Sequence, residues 1–273
     1  MSTNTYHCTA GRGDEFYTRP QDVELLMEQY VPYLRDKNIL IPCAGDDGPW
    51  ATYLRSQGCE NITTDPEKHY EHFDFSDYDM VISNIPFSRT TDFLTRLDEA
   101  GCEGLIVMPA ISIRSKPAVS LLNKGWKAYD EGTPHVFNRP SGKVREVACY
   151  VLTSFQTNVH EGSKRRVKGK PTAPVMTDQG ILRYGRVADV PVDWQGVIAV
   201  PVSYAAKGLD TDRHTVSFMG GDLTVGGKRT FTSLYVSCDG STVFKVGGTM
   251  YRNDGEEVIP LTSESTLSLA KVA

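Results

Sequence analysis

The chain has 273 residues, 40% hydrophobic and 23% charged, ordinary proportions for a globular protein with enough length to bury a substantial core in one large domain or two modest ones. No apolar run approaches the ~18 residues of a membrane span, and Met1-Ser2-Thr3-Asn4-Thr5 lacks the basic-then-apolar order of a secretory leader. The net charge of -5 hides an asymmetry. Residues 1–100 carry 8 Lys+Arg against 18 Asp+Glu, and the remaining residues carry 21 against 16, so an acidic module precedes a basic one and only the second suits phosphates. Six scattered cysteines without a Cys-x-x-Cys pair read as reduced thiols in a cytoplasmic protein, with no zinc site.

In chain order, Thr18 and Gln21 have the spacing of a capping box, and Val23, Leu26, Met27, Tyr30 and Leu34 follow at helical spacing, with Pro32 ending or kinking the helix. Asn38–Ile41 reads as a strand, followed by a turn through Gly45-Asp46-Asp47-Gly48. Pro49 opens a second helix, with Trp50, Tyr53 and Leu54 on one face and Gly58 at its end. Strands are predicted over Glu60–Asp65 and Tyr78–Asn84. Ser88 is placed to cap a helix that buries Phe93, Leu94 and Leu97 and stops near Gly101. Leu105–Met108 and Val147–Phe155 read as further strands, the second without a preceding helix and therefore assigned to an antiparallel edge hairpin. Strands alternating with helices predict an α/β fold with a mostly parallel, three-layer sheet.

The character changes after Phe155. A polar stretch carries five basic residues in seven, Lys164-Arg165-Arg166-Val167-Lys168-Gly169-Lys170. Short β-type runs then cover Gly196–Tyr204, Thr215–Phe218, Thr230–Val236 and Thr242–Val246, separated by glycine turns. A boundary near residue 160 divides a first domain, 1–160, from a basic linker and β-rich region, 161–273.

Chemistry concentrates at strand ends in the first domain. Asn84-Ile85-Pro86-Phe87 terminates an apolar run with one amide, one stiffening proline and one ring. Asn84 can accept a hydrogen bond from an exocyclic amine, the carbonyl of Ile85 can accept a second, and Phe87 can stack on a flat base. Upstream, Pro42-Cys43-Ala44-Gly45-Asp46-Asp47-Gly48 links a strand to a helix, where a glycine turn admits a nucleoside close to the backbone. Asp65 ends the next strand, where its carboxylate can take both ribose hydroxyls. Read alone, these suit an ordinary βα turn and an ordinary capping aspartate better than a nucleoside site.

Taken together the segments resemble a known family. Asn84-Ile85-Pro86-Phe87 is similar to the Asn/Asp-Pro-Pro-Tyr/Phe motif of amino-group methyltransferases, with Ile85 at a position usually proline. Asp14-Glu15-Phe16-Tyr17-Thr18 resembles the Phe-x-Thr/Tyr-Thr-Pro element that covers the methionyl part of S-adenosylmethionine. The 42–48 loop resembles Asp-Pro-x-x-Gly-x-Gly, with Ile41 for the leading aspartate and one extra residue before the final glycine. Phe73-Asp74-Phe75 resembles the Asp-Phe element near the cofactor's adenine. Residues 187–204, ending Gly196-Val197-Ile198-Ala199-Val200-Pro201-Val202-Ser203-Tyr204, are similar to an Ile-Pro…Gly-x-x-Gly-Val-Pro segment, with Ala199 for a glycine. The order and the downstream segment point to the EcoRI-type adenine-specific DNA methyltransferases, over roughly residues 14–220.

The resemblance implies a Rossmann-like S-adenosylmethionine-dependent methyltransferase sheet with a β-rich C-terminal target-recognition region. S-adenosylmethionine would be held by Phe16, Tyr17, Thr18, Pro42, Ala44, Gly45, Asp47, Asp65 and Asp74. The catalytic loop would be Asn84, Ile85, Pro86 and Phe87, acting on N6 of an adenine flipped out of double-stranded DNA. Lys164, Arg165, Arg166 and Lys168 read either as a solvated linker or as phosphate contacts; beside a flipped-base pocket, DNA contact is favoured. The alternatives are a methyltransferase on RNA or on a protein glutamine, and a catalytically silent fold that binds DNA or protein.

Overall fold

The computed structural model describes residues 16–65, 70–130, 133–139, 141–155, 170–218, 223–230 and 233–261. Its contacts divide the chain into two compact units, one comprising Met1–Ser112 and Trp126–Ser163, the other Ile113–Gly125 and Lys164–Ala273. A single cut near residue 160 therefore misassigns residues 113–125, which go with the second unit.

The first unit contains β1 (Tyr17–Thr18), α1 (Pro20–Met27), α2 (Val31–Leu34), β2 (Ile39–Pro42), α3 (Pro49–Ser56), β3 (Ile62–Asp65), β4 (Met80–Asn84), α4 (Thr90–Ala100) and β5 (Glu103–Pro109). After α5 (Lys116–Asn123), which belongs to the second unit, it continues through β6 (Lys127–Tyr129), β7 (Val136–Asn138), β8 (Val144–Glu146) and β9 (Cys149–Thr153). A six-stranded sheet has the order β3-β2-β4-β5-β9-β6. The first four strands are mutually parallel, and β9 runs antiparallel to both β5 and β6. The antiparallel direction of the 147–155 region is as expected, but its edge position is not. The three-residue strand β6, too short and too polar to stand out in the sequence, pairs on the far side and places β9 inside the sheet.

Burial explains the near-continuous apolar strands. Ile39, Ile41, Met80, Ile82, Leu105, Val107 and Val151 join one core with Val23, Leu26, Met27, Leu34, Trp50 and Leu54 of the first three helices. The alternate residues Leu40, Val81, Ile106, Met108 and Leu152 are also fully buried, so both sheet faces are covered, as parallel strands require. Each such side chain contributes about 1.5–3 kcal/mol by leaving water.

Two helix starts differ from the sequence expectation. No capping box forms at Thr18, which lies in β1; the cap is Arg19, extended at φ -76° and ψ 147°, with Pro20 in the first turn. Proline disfavours helical geometry in the residue before it, so α1 begins after Arg19 rather than at Thr18. Residues 87–89 form a 3-10 turn, and α4 starts at Thr90 rather than being capped by Ser88. Its other end is as predicted, at Gly101 with φ +68°.

Besides α5, the second unit contains β10 (Val175–Met176), β11 (Leu182–Arg183), β12 (Val197–Pro201), α6 (Tyr204–Lys207), β13 (Thr215–Ser217), β14 (Thr224–Val225), β15 (Lys228–Arg229), β16 (Ser233–Ser237), β17 (Thr242–Val246), β18 (Thr249–Asn253) and β19 (Val258–Pro260). Five of these strands form a sheet of order β10-β11-β12-β16-β13, and β17-β18-β19 form an antiparallel meander. Asn123 at the end of α5 is bonded to β13 through both the N–H and the carbonyl of Val216. No helix among the described residues is long and apolar enough to cross a membrane.

Candidate active site

The chain runs from β2 outward to β3, then crosses back to β4 on the other side of β2. The strand order therefore reverses between β2 and β4, and in open parallel sheets ligands bind outside the carboxyl ends of the strands at such a point. The ladders mark the same place. β2 pairs with β3 up to Pro42↔Asp65, and β4 pairs with β5 up to Asn84↔Val107, but β2 pairs with β4 only up to Leu40↔Val81. The last residues of β2 and β4 are thus unladdered along their shared boundary. The 42–48 loop leaves one side of it and Asn84-Ile85-Pro86-Phe87 leaves the other.

The 42–48 loop is tightly built. The Gly48 N–H donates to the Gly45 carbonyl at 2.9 Å, and Gly48 caps α3 ahead of Pro49. A Cβ on Gly48 would lie 2.9 Å from the Gly45 carbonyl oxygen, so only glycine fits. Cys43, at φ +65°, is the single non-glycine with positive φ among the described residues, a conformation that costs energy and tends to occur at functional turns. Pro42 and Gly45 are buried, Ala44 is half-buried against the core, and Asp47 is exposed. The Asp46 carboxylate ties the loop to the sheet: it accepts from the Thr64 hydroxyl of β3 and the Arg55 guanidinium of α3. Those bonds, the Thr64 one first, hold its carboxyl below the ordinary 3.8. Asp65 ends β3 directly beside Pro42, so the strand end expected to bear the ribose carboxylate abuts the loop.

Asn84 closes β4. Its Nδ2 donates to the Phe16 carbonyl at 2.6 Å, which fixes the amide orientation, because a carbonyl can only accept. Its Oδ1 is buried and has no hydrogen-bond partner among the described residues. Leaving such an acceptor unmet costs about 1–3 kcal/mol, so the site is set up for an incoming donor. Ile85 is 1% exposed, Pro86 is buried, and the Arg89 N–H closes the following turn onto the Pro86 carbonyl at 2.9 Å.

Phe87 does not present a bare ring. The Phe16 ring stacks on it with centroids 4.6 Å apart and planes 18° from parallel, and Phe137 meets both rings edge-on at 5.9 and 5.6 Å. Arg139 and Arg145 place their guanidinium carbons 5.7 and 5.5 Å from the Phe16 ring centre. A three-stranded sheet, β1-β7-β8, supports this group: Tyr17 pairs with Asn138, Thr18 with Phe137, and Phe137 with Arg145. Thr18 Oγ1 is a second buried polar atom without a partner among the described residues.

The structure therefore gathers Phe16, Asn84 and Phe87 into direct contact and sets the Pro42–Gly48 loop and Asp65 at neighbouring strand ends. Asp74 is exposed and caps a 3-10 turn, accepting from the Ser76 N–H at 3.0 Å and hydroxyl at 2.6 Å, which lowers its carboxyl pKa. Lys164, Arg165, Arg166 and Lys168 lie outside the described residues. Sequence reasoning missed Phe137, Arg139, Arg145 and the anchoring role of Asp46. The one available signal for the arginines was a short aromatic-and-basic alternation around a Pro-Ser-Gly turn. Neither protein-family models nor curated proteins match this sequence.

Proposed function

We propose that this chain is a site-specific adenine DNA methyltransferase, moving a methyl group from S-adenosylmethionine to N6 of a flipped-out adenine. The observation that carries the reading is the Asn84 amide, with its donor end committed to Phe16 and its buried Oδ1 left open at the strand-order reversal. The residues present fit the cofactor: a tight glycine turn beside the strand end bearing Asp65, with Phe16, Tyr17 and Thr18 opposite. When bound there, the cofactor supplies a sulfonium-activated methyl group.

The chain's own contribution is positioning. Asn84 Oδ1 and the Ile85 carbonyl accept the two N6 hydrogens, which draws the amine lone pair out of ring conjugation and aims it for in-line transfer. A methyl donor held there would lose its methyl–sulfur bond as the N6–C bond formed, with the surplus N6 proton leaving to water. No strong base is needed. Base stacking on Phe87 requires either the ring face not covered by Phe16 or withdrawal of the Phe16 ring.

Incubating the chain with methyl-labelled S-adenosylmethionine and duplex DNA, RNA or protein, then mapping N6-methyladenine in the DNA, tests the assignment. Label in duplex adenine, abolished in Asn84→Ala with cofactor binding retained, is the expected result. Label confined to RNA or to glutamine moves the substrate class, and cofactor binding without transfer to any of the three leaves a silent fold.

A further inference from the structure

The 136–146 hairpin is not used by the chemistry above, yet it is tied to the site. Its first strand pairs with β1, its second strand pairs back on the first, and the turn closes with the Arg139 N–H on the Lys143 carbonyl and the Gly142 N–H on the Arg139 carbonyl, both at 2.9 Å. The hairpin carries Arg139, Lys143 and Arg145 against the single acid Glu146, and residues 141–146 are all exposed. This local positive charge follows 100 residues in which acids outnumber bases by 18 to 8. Core packing does not account for it, because among the hairpin's described residues Phe137 alone is fully buried.

Position gives the charge a meaning. Arg139 and Arg145 stand over Phe16, whose ring lies on Phe87 and whose carbonyl holds Asn84. The two centroid separations put these guanidinium groups at most roughly 10 Å from the Phe87 ring. Phosphates of one strand recur every ~3.4 Å along the duplex axis, so cations at that reach span at most about three nucleotides along that axis from a stacked base. Arginine forks suit phosphate oxygens, and Lys143 and Arg145 lie in the exposed stretch 141–146.

We infer that the 136–146 hairpin is a phosphate-contacting arm, with Arg139, Lys143 and Arg145 gripping the nucleic-acid backbone beside the base that enters the Asn84–Phe87 site. The inference rests on the nucleic-acid reading of that site and does not involve the 164–170 run. Neutralising about three phosphates contributes a slope near -0.9 per phosphate to log K against log salt.

The test is the salt dependence of binding to a short fluorescein-labelled duplex, followed by anisotropy, for the wild-type chain, the triple variant R139Q/K143Q/R145Q and the conservative pair R139K/R145K. The expected result is at least a tenfold loss of affinity in the triple variant, with a slope shallower by about 2–3. The lysine pair retains the slope, which separates phosphate contact from support of the Phe16 ring, since lysine keeps the charge and loses the planar stacking. An unchanged slope in a triple variant that melts as the wild type does overturns the inference, as does a wild type that binds no duplex. Methyl transfer by the wild type to the same duplex is measured in parallel. Transfer with an unchanged slope removes the arm and leaves the enzyme reading standing, whereas a lost slope without transfer keeps the arm and removes that reading.

Discussion

The side-chain amide of Asn84 donates to the backbone carbonyl of Phe16, 68 residues earlier in the chain, at 2.6 Å. One bond thus couples the end of a central strand to the segment that covers it, and leaves Asn84 Oδ1 facing the site. Asn84→Asp tests whether this orientation matters. The aspartate keeps an acceptor oxygen but turns the donor facing Phe16 into a second negative oxygen against a carbonyl. Methyl transfer should fall about 10²–10³-fold, a loss typical of removing one aligned polar group, in single-turnover assays with saturating cofactor. Near-normal rates in Asn84→Asp would show that the Phe16 contact is incidental.

Ile85 stands at a position where the resembling motif has proline, and its side chain is 1% exposed. Ile85→Ala should destabilise the protein by about 2–5 kcal/mol through lost burial and a cavity. Ile85→Pro gives up roughly one buried methylene, ~0.8 kcal/mol, and regains ~0.4–1 kcal/mol through a stiffer unfolded chain. Its midpoint in urea should therefore sit close to wild type, with transfer activity kept, since the acceptor proposed at this position is the backbone carbonyl. A well-folded but inactive Ile85→Pro would contradict that role.

Asp46 gives a pH prediction with a definite sign. Hydrogen bonds from Thr64 and Arg55 hold its folded-state carboxyl below 3.8. Its contribution to stability is then present above the unfolded value and is lost as pH falls through the lower folded value. Because the group is largely exposed, with 76% of its side chain open to solvent, the effect is modest. The stability gap between wild type and Asp46→Asn should be widest near neutrality and narrow as the pH falls below the ordinary aspartate value of about 3.9, as followed by urea melts. A gap that grows on acidification would reverse the assigned cause.

Cys43 offers a direct test of the proposed cofactor seat. It is half-exposed in the glycine loop, whereas Cys149 is buried, its thiol pushed up to about 12 by desolvation. In native protein treated with iodoacetamide near pH 8, Cys149 should stay unmodified. Cys43 should react, and more slowly once S-adenosylmethionine is added. Peptide mapping by mass spectrometry reads both, and cofactor-independent labelling of Cys43 would count against a nucleoside seat at this loop.

The sequence displays whatever depends on local periodicity. Apolar runs gave β2, β4 and β5, Gly101 gave the end of α4, and the βα glycine turn was visible as a turn. Asn84 was legible because an amide, a proline and a ring after an apolar strand form a short, unusual string. The Phe16–Phe87 stack was not, because 71 positions separate the rings and only tertiary packing joins them. The placement of β9 was hidden for a related reason: its neighbour β6 has three residues, too few to show a period. Thr18 illustrates a local conflict, in which the geometry imposed by Pro20 overrode a plausible cap.

Residues 113–125 pose a problem of timing during synthesis. The helix Lys116–Asn123 belongs to a unit whose remaining parts start at Lys164, and Asn123 finds its partner Val216 93 positions later. At ~5–20 residues per second on the ribosome, the helix waits roughly 5–20 s for that partner to emerge. Until the residues from Lys164 onward follow, Val119, Leu121 and Leu122, buried in the finished protein, have nothing else of their own unit to pack against. A gene truncated near codon 160 makes the wait permanent, so such a fragment should engage holdase chaperones or precipitate, even though all six strands of the first unit's main sheet are present.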